Sequence, residues 1–339
     1  MQLEYQLNER YQLLNPYAKK VLEQSGATGG ALMVIERGKI VHEWYAGIHQ
    51  ANTLRKVSAS SQFNVSSVRK TYLAMAIGIL IEQGKLKGVK DKISQYFPEF
   101  PAGVLAGVQL RHLLTHTHGL TLKIGQLEQV CEPGTSWRYN KAGIALLTQL
   151  VEKLSGKSVA EFLTSEVFVP MGLSETGWRI KSTEDLVQPA IYASDRGDRS
   201  NLFVSTRELA FWGYLHLTKG EIGQQVLPSA LFTRLTEEIV LKKLPNKYPR
   251  YSFLWWMQSD FPQNIIGEKV PAGSYQIAGV SGCTCLVIPA YDVVAVRMFN
   301  QSGNVDKYDY LADTRHYGNL VAGCAAKDGL GVSTKRDRI

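Results

Sequence analysis

The residues best suited to do chemistry in this chain are Ser67 and Lys70, within the run Phe63-Asn64-Val65-Ser66-Ser67-Val68-Arg69-Lys70-Thr71. This run leads directly into an apolar stretch over residues 72–83, so the serine and the lysine share one face of an opening helical turn. A serine hydroxyl attacks a carbonyl only when something takes its proton, and a lysine with a depressed pKa can take it. The start of a helix also favours negative charge developing beside it. The S-x-x-K spacing occurs once in the chain. Taken alone it also describes a helix cap followed by a solvated lysine. Ser66 lies within reach of Lys70 too, so spacing leaves the choice of serine open.

Two pairs of segments read as strand hairpins that would frame this turn. Residues 31–35 and 39–45 flank Glu36-Arg37-Gly38, and residues 283–288 and 293–299 flank Pro289-Ala290-Tyr291-Asp292. Between them the apolar spacing is helical over residues 71–83, 143–154, 159–163, 206–217 and 230–240. Strands at both ends and helices between them predict an α+β fold. An antiparallel sheet formed by the N- and C-terminal segments is flanked by helices and carries an inserted, mostly helical lobe. A cleft between lobes is the natural site.

Three further segments, with the serine turn, carry a resemblance to a known family. Arg111-His112-Leu113-Leu114-Thr115-His116-Thr117-His118-Gly119-Leu120 is one, and Pro133-Gly134-Thr135-Ser136-Trp137-Arg138-Tyr139, followed by Gly143, is another. The third is Val280-Ser281-Gly282. From about residue 30 to residue 300 the chain resembles the serine β-lactamase and penicillin-binding protein superfamily, especially its class C-like, esterase-like branch. The resemblance places Ser67 and Lys70 at the nucleophile and lysine positions and Tyr139 at the catalytic tyrosine. There a phenol can relay protons between nucleophile, lysine and leaving group. Without that context Tyr139 reads as a packed aromatic.

Two departures from the family pattern bear on the substrate. The family's tyrosine motif usually reads Tyr-x-Asn, whereas Tyr139 is followed by Asn140 and then Lys141. Asn140 could substitute after a one-residue shift, or Lys141 could project a cation into the site in place of the missing strand cation; Lys141 reads equally as a solvated loop lysine. The third motif, normally Lys-Thr-Gly or a relative, begins here with the uncharged Val280, which removes the usual partner for a substrate carboxylate. The resemblance still implies an oxyanion site made by the backbone N–H groups of Ser67 and Cys283, with Ser281 and Gly282 beside it. Cys283 itself reads as a buried structural cysteine.

His112, His116 and His118 raise the question of zinc, because His-x-x-x-His on a helix can hold it with a third ligand. No acidic partner follows in the usual pattern, and the resembling family uses this stretch structurally. No metal and no cofactor are expected. Tyr251, Phe253, Trp255 and Trp256 form an aromatic cluster that either packs the lobe interface or lines an acyl pocket.

Composition bounds the remaining possibilities. At 339 residues and 45% hydrophobic content, the chain can bury a substantial core, which excludes chain-wide disorder. We expect one catalytic domain over residues 1–325, with an α/β lobe at about 1–95 and 250–325 and a helical lobe at about 96–249; residues 326–339 would form a flexible tail. The net charge of +8 is scattered, with clusters only at Lys242, Lys243, Lys247, Arg250 and at Lys335, Arg336, Arg338, so a solvated basic surface is preferred over a nucleic-acid site. Residues 73–81 form the longest apolar run, too short to span a membrane. The first thirty residues mix Glu4, Glu9, Arg10, Lys19, Lys20 and Glu23 among apolar positions and lack a secretory pattern. The default expectation is a cytoplasmic protein, periplasmic or secreted if a leader has been removed. The four cysteines do not form a disulfide framework, and Cys283 and Cys285 should share a sheet face as reduced thiols.

The expected function is that of a serine hydrolase acting through an acyl-enzyme on small esters or amides, with weak or no β-lactamase activity. The rival is a degenerate binding or sensor protein that keeps the scaffold without turnover. Substrate identity and oligomeric state are not legible at this level.

Overall fold

The computed structural model describes residues 3–188, 192–222, 224–225, 227–259, 264–301 and 308–326. The expected tail beyond its first residue, Ala326, and the cluster Lys335, Arg336, Arg338 lie outside these residues.

The chain opens with β1 (Glu4–Tyr5), α1 (Leu14–Ser25), β2 (Gly29–Glu36) and β3 (Lys39–Gly47), followed by a short strand β4 (Gln62–Asn64) and helix α2 (Arg69–Glu82). The middle of the chain contains α3 (Leu110–Leu114), a hairpin of β5 (Leu120–Lys123) and β6 (Gln126–Gln129), then α4 (Lys141–Ser155), α5 (Val159–Leu163) and α6 (Val169–Met171). Strands β7 (Thr176–Trp178), β8 (Leu186–Val187) and β9 (Leu202–Ser205) precede α7 (Thr206–Leu217), a minimal pair β10 (Glu221–Ile222) and β11 (Gln224–Gln225), and α8 (Ser229–Thr236). The chain then returns to the first sheet with β12 (Arg250–Ser252), β13 (Trp255–Met257), β14 (Tyr275–Ala278), β15 (Thr284–Ile288) and β16 (Val293–Phe299), and ends in α9 (Tyr310–Ala325).

The α+β expectation holds. The main sheet has eight strands in the order β1-β3-β2-β16-β15-β14-β13-β12, joining the two ends of the chain where β16 pairs antiparallel with β2, Ala295 opposite Val34. One correction concerns its edge: β1 pairs with β3 in parallel, so the sheet is mixed rather than purely antiparallel. The central segment is also less helical than its periodicity suggests, because β7, β9, β4 and β8 form a second, four-stranded sheet. Its strands have two to four residues, too few to show a period of two. The helix expected over residues 230–240 stops at Thr236, where Glu237 turns extended and its carbonyl accepts a hydrogen bond from Ser252 Oγ.

Every residue of β2 is buried, as a central strand covered on both faces requires. Ala31, Met33 and Ile35 face one core with Cys283, Cys285 and the residues of α2 and α7, while Leu32 and Val34 face a second core with Leu14, Ala18 and Val21 of α1 and Tyr317 and Val321 of α9. Cys283 and Cys285 do share a face, and all four cysteines are free thiols. Helix α2 is buried on every side from Arg69 to Ile81 and therefore runs through the first core. Tyr72 stacks on Trp212 of α7 with ring centroids 4.0 Å apart, and Gly78 lets α8 approach, since a Cβ there would stand 2.5 Å from Leu231 Cδ1. This central helix carries Lys70 at its first turn. No described helix is long and apolar enough to cross a membrane.

Candidate active site

The turn between β4 and α2 presents the serine. Asn64 Oδ1 accepts a hydrogen bond from the Ser66 N–H at 3.0 Å, and Asn64 Nδ2 donates to the Ser200 carbonyl at 2.8 Å, which ties the turn to the loop before β9. Ser66 takes a left-handed backbone with φ +48°, an uncommon conformation for a residue with a Cβ. It is Ser67 that meets the lysine: Lys70 Nζ donates to Ser67 Oγ at 2.7 Å. The same Nζ donates to the Tyr139 hydroxyl at 2.7 Å, bringing together residues 69 positions apart in the chain.

The loop carrying Tyr139 is held by the histidine-containing stretch. The Thr117 carbonyl accepts from the Gly134 N–H at 2.8 Å and the His116 carbonyl from the Arg138 N–H at 2.9 Å. The His116 ring packs against Tyr139 at 4.6 Å and against Tyr251 at 5.5 Å. His112 and His118 turn elsewhere, each accepting at Nδ1 from a backbone N–H, of Gln109 and of Leu120. Among the described residues no three His, Cys, Asp or Glu side chains converge as metal ligands. Of the aromatic cluster, Tyr251 and Trp256 pack with Trp137 beside Tyr139, whereas Phe253 and Trp255 are core residues.

Burial, reinforced by the nearby charges of Arg69 and Lys141, pulls the Lys70 ammonium down to about 7. The amine and ammonium forms of Lys70 therefore coexist near neutrality. Burial raises the Tyr139 phenol, opposed by its hydrogen bond with Ser67 and by the Arg69 charge. Burial first, and then Lys70, hold His116 well below the ordinary imidazole range, so it stays neutral beside the lysine.

The turn Gly279-Val280-Ser281-Gly282 closes the hairpin between β14 and β15, with the Gly282 N–H donating to the Gly279 carbonyl at 2.8 Å. The hairpin abuts the serine turn through Gly279: a Cβ there would lie 2.3 Å from the Val65 carbonyl oxygen and 3.2 Å from Ser66 Cβ. Three carbonyls of the turn are anchored, Gly279 by the Tyr310 hydroxyl at 2.9 Å, Ser281 by the Gln301 N–H at 3.0 Å, and Gly282 by Arg297 Nε at 3.3 Å. The last contact fixes the peptide unit whose other end is the Cys283 N–H. The Cys283 thiol is fully buried, donates to the Phe299 carbonyl at 3.4 Å and is pushed up to about 11 by burial, so it is no nucleophile.

A cavity of about 580 Å³ opens beside Ser67, lined by Lys70, Tyr139, Asn140, Lys141 and, from the far segment, Ser200 among others. Ser281, Gly282 and Cys283 are not among its lining residues and adjoin the serine turn through Gly279 instead. Asn140 does not extend its amide toward Ser67: Oδ1 caps α4 by accepting from the Ala142 N–H at 2.9 Å, and Nδ2 donates to the Leu120 carbonyl at 2.9 Å. Lys141, the first residue of α4, is exposed on the cavity wall. The lining also contains Arg69, which sequence reasoning passed over although a second cation beside Lys70, leading an apolar helix, was its visible signal. Ser200 had no such signal.

With this geometry in hand, comparisons place the chain among known proteins. It matches the Beta-lactamase family over residues 14–318. It is 39% identical to an uncharacterized protein of Alkalihalophilus pseudofirmus over 96% of this chain and 99% of that one. Penicillin-binding protein 4* of Bacillus subtilis is 30% identical over 43% of this chain, a match that spans 37% of that longer relative. Among solved structures, EstCE1, described as a hydrolase with promiscuous acyltransferase activity, superposes with a TM-score of 0.73 over 92% of this chain and 98% of that one, at 18% identity.

Proposed function

This chain belongs to the Beta-lactamase family, and from that premise we propose that it is a serine hydrolase acting through an acyl-enzyme on small esters or amides, with weak or no β-lactamase activity. The observation that carries the reading is the pair of 2.7 Å hydrogen bonds joining Lys70 Nζ to Ser67 Oγ and to the Tyr139 hydroxyl. Neutral Lys70 takes the Ser67 proton as Oγ bonds to the carbonyl carbon. The Ser67 and Cys283 N–H groups receive the oxyanion. The proton held by Lys70 passes through the Tyr139 hydroxyl to the leaving alkoxide oxygen or amide nitrogen as its bond to carbon breaks, which restores neutral Lys70 and the Tyr139 phenol. Water, deprotonated by the same pair, then attacks the acyl-enzyme and releases the acid with Ser67 restored.

Low β-lactam turnover is favoured by two features. Val280, in the turn between β14 and β15, offers no cation, and the amide of Asn140 is occupied in capping α4 and bonding the Leu120 carbonyl. EstCE1 lends its described hydrolase activity to the reading as an analogy of fold.

The test is intact-mass analysis after exposure to a fluorophosphonate, alongside turnover of 4-nitrophenyl butyrate. Wild-type protein should gain one adduct and release nitrophenolate, and Ser67→Ala should do neither. Equal labelling of both proteins would remove Ser67 as nucleophile. Labelling of the wild type without turnover would point to a scaffold that acylates and stops.

A further inference from the structure

The cations around the cavity are not matched by its anions. Arg196 is held by Glu152 at 2.9 Å, and Arg199 faces Asp198 at 3.6 Å, so the two carboxylates of the lining already have partners. Among the described residues Arg69 and Lys141 have no carboxylate within ion-pair distance. Lys141 is exposed, but Arg69 retains only 9% of its surface in contact with solvent, two residues from the nucleophile. Its Nε donates a 3.4 Å hydrogen bond to Ser200 Oγ, which leaves the two terminal nitrogens of a planar fork on a cavity wall. An arginine this buried is costly unless a paired acceptor compensates it, and its fork geometry suits a carboxylate bound through two parallel hydrogen bonds.

We propose that Arg69, assisted by Lys141, binds a carboxylate carried by the substrate, so that the natural substrates are anionic esters or amides with a carboxylate a few bonds from the scissile carbonyl. This rests on the hydrolase reading above and names its substrate class. It places the anion site on the turn and helix that bear Ser67 and Lys70 and on the first residue of α4, away from the hairpin turn that carries Val280. Arg199 and Ser200 close the same wall, where Arg199 already faces Asp198.

The experiment compares kcat/KM for mono-4-nitrophenyl glutarate and for 4-acetoxybenzoate with those of their neutral counterparts, 4-nitrophenyl butyrate and phenyl acetate. The first anionic ester carries its charge on the acyl half, the second on the leaving group. At least one anionic ester should be preferred by about tenfold or more, the value of a charge-assisted hydrogen-bond pair. The preference should fall to near unity in Arg69→Gln, by about two- to fivefold in the exposed Lys141→Gln, and with added salt. Arg69→Gln also alters Lys70, but that acts on both members of each pair alike, and the ratio isolates the anion contact. No preference in wild type, or a preference unchanged in Arg69→Gln, would overturn the proposal. If Arg69→Gln does not fold, as judged by circular dichroism, Lys141→Gln and the salt dependence decide in the same way.

A binding measurement separates this proposal from the hydrolase reading. Titration of monomethyl glutarate and of dimethyl glutarate into Ser67→Ala by saturation-transfer NMR needs no turnover. Tighter binding of the monoanion, weakened by Lys141→Gln, upholds the anion site even if no ester is hydrolysed. Equal binding of the two rejects it even if Ser67 proves to be the nucleophile.

Discussion

Lys70 lies between two hydroxyls, and its chemistry depends on its charge more than on its position. Because burial and two neighbouring cations bring it down to about 7, the amine form that accepts a proton grows as pH rises through that value. Accordingly, kcat/KM for a neutral ester should increase with pH and level off above about 7, as read from a pH–rate profile. Removing a cation relieves the depression, so the inflection in Lys141→Gln should move to higher pH. Tyr139→Phe keeps the ring that packs on His116 but deletes the proton carrier. Its kcat should drop by about 10²- to 10⁴-fold with little change in melting temperature.

At the scale of elements, the site exists because a hairpin and a helix start are pressed together. Gly279 is the point of contact, and its backbone needs no special φ; what it needs is the absence of a Cβ. Gly279→Ala should destabilise the fold by about 1–3 kcal/mol, as overpacking does, and lower kcat by displacing the hairpin; urea unfolding and ester kinetics on one preparation would show both. The hairpin is also tied to β16 and α9. Fully buried Arg297 bonds the Gly282 carbonyl and pairs with Asp313, which also accepts from the Tyr17 hydroxyl at 2.8 Å. Asp313→Ala would strand that guanidinium in the core, at a cost of about 3–5 kcal/mol in unfolding free energy.

The whole molecule keeps several imidazoles buried and neutral. Burial lowers His112, His118 and His216 to about 4, below the ordinary value of 6.5. Between these values the unfolded chain binds more protons than the folded one, so stability rises with pH across that window. The stabilisation is complete above about 6.5 and is lost as pH falls toward 4. Urea midpoints should therefore decline from pH 7 to pH 4.5, and more shallowly in His216→Leu, which keeps an apolar group among Trp212, Phe232 and Trp255.

Local periodicity was enough to read the helix behind the serine turn and the two strand hairpins, because each is set by spacings of two or about 3.6 residues that a sequence displays directly, whereas the choice of Ser67 within the turn came from the motif resemblance. The motif resemblance reached Tyr139 as well, but its hydrogen bond to Lys70 spans 69 residues and depends on the His116 segment that backs its loop. Other features were decided only in three dimensions. Lys70 meets Ser67 while Ser66 takes a left-handed backbone, the capping of α4 takes the amide oxygen of Asn140, and β1 joins the sheet edge in parallel. The same is true of Arg69, which on a helix could face solvent or core. It becomes a buried cation on the cavity wall because α2 runs through the centre of the molecule, where burial is set by what packs around the helix and not by the residues along it.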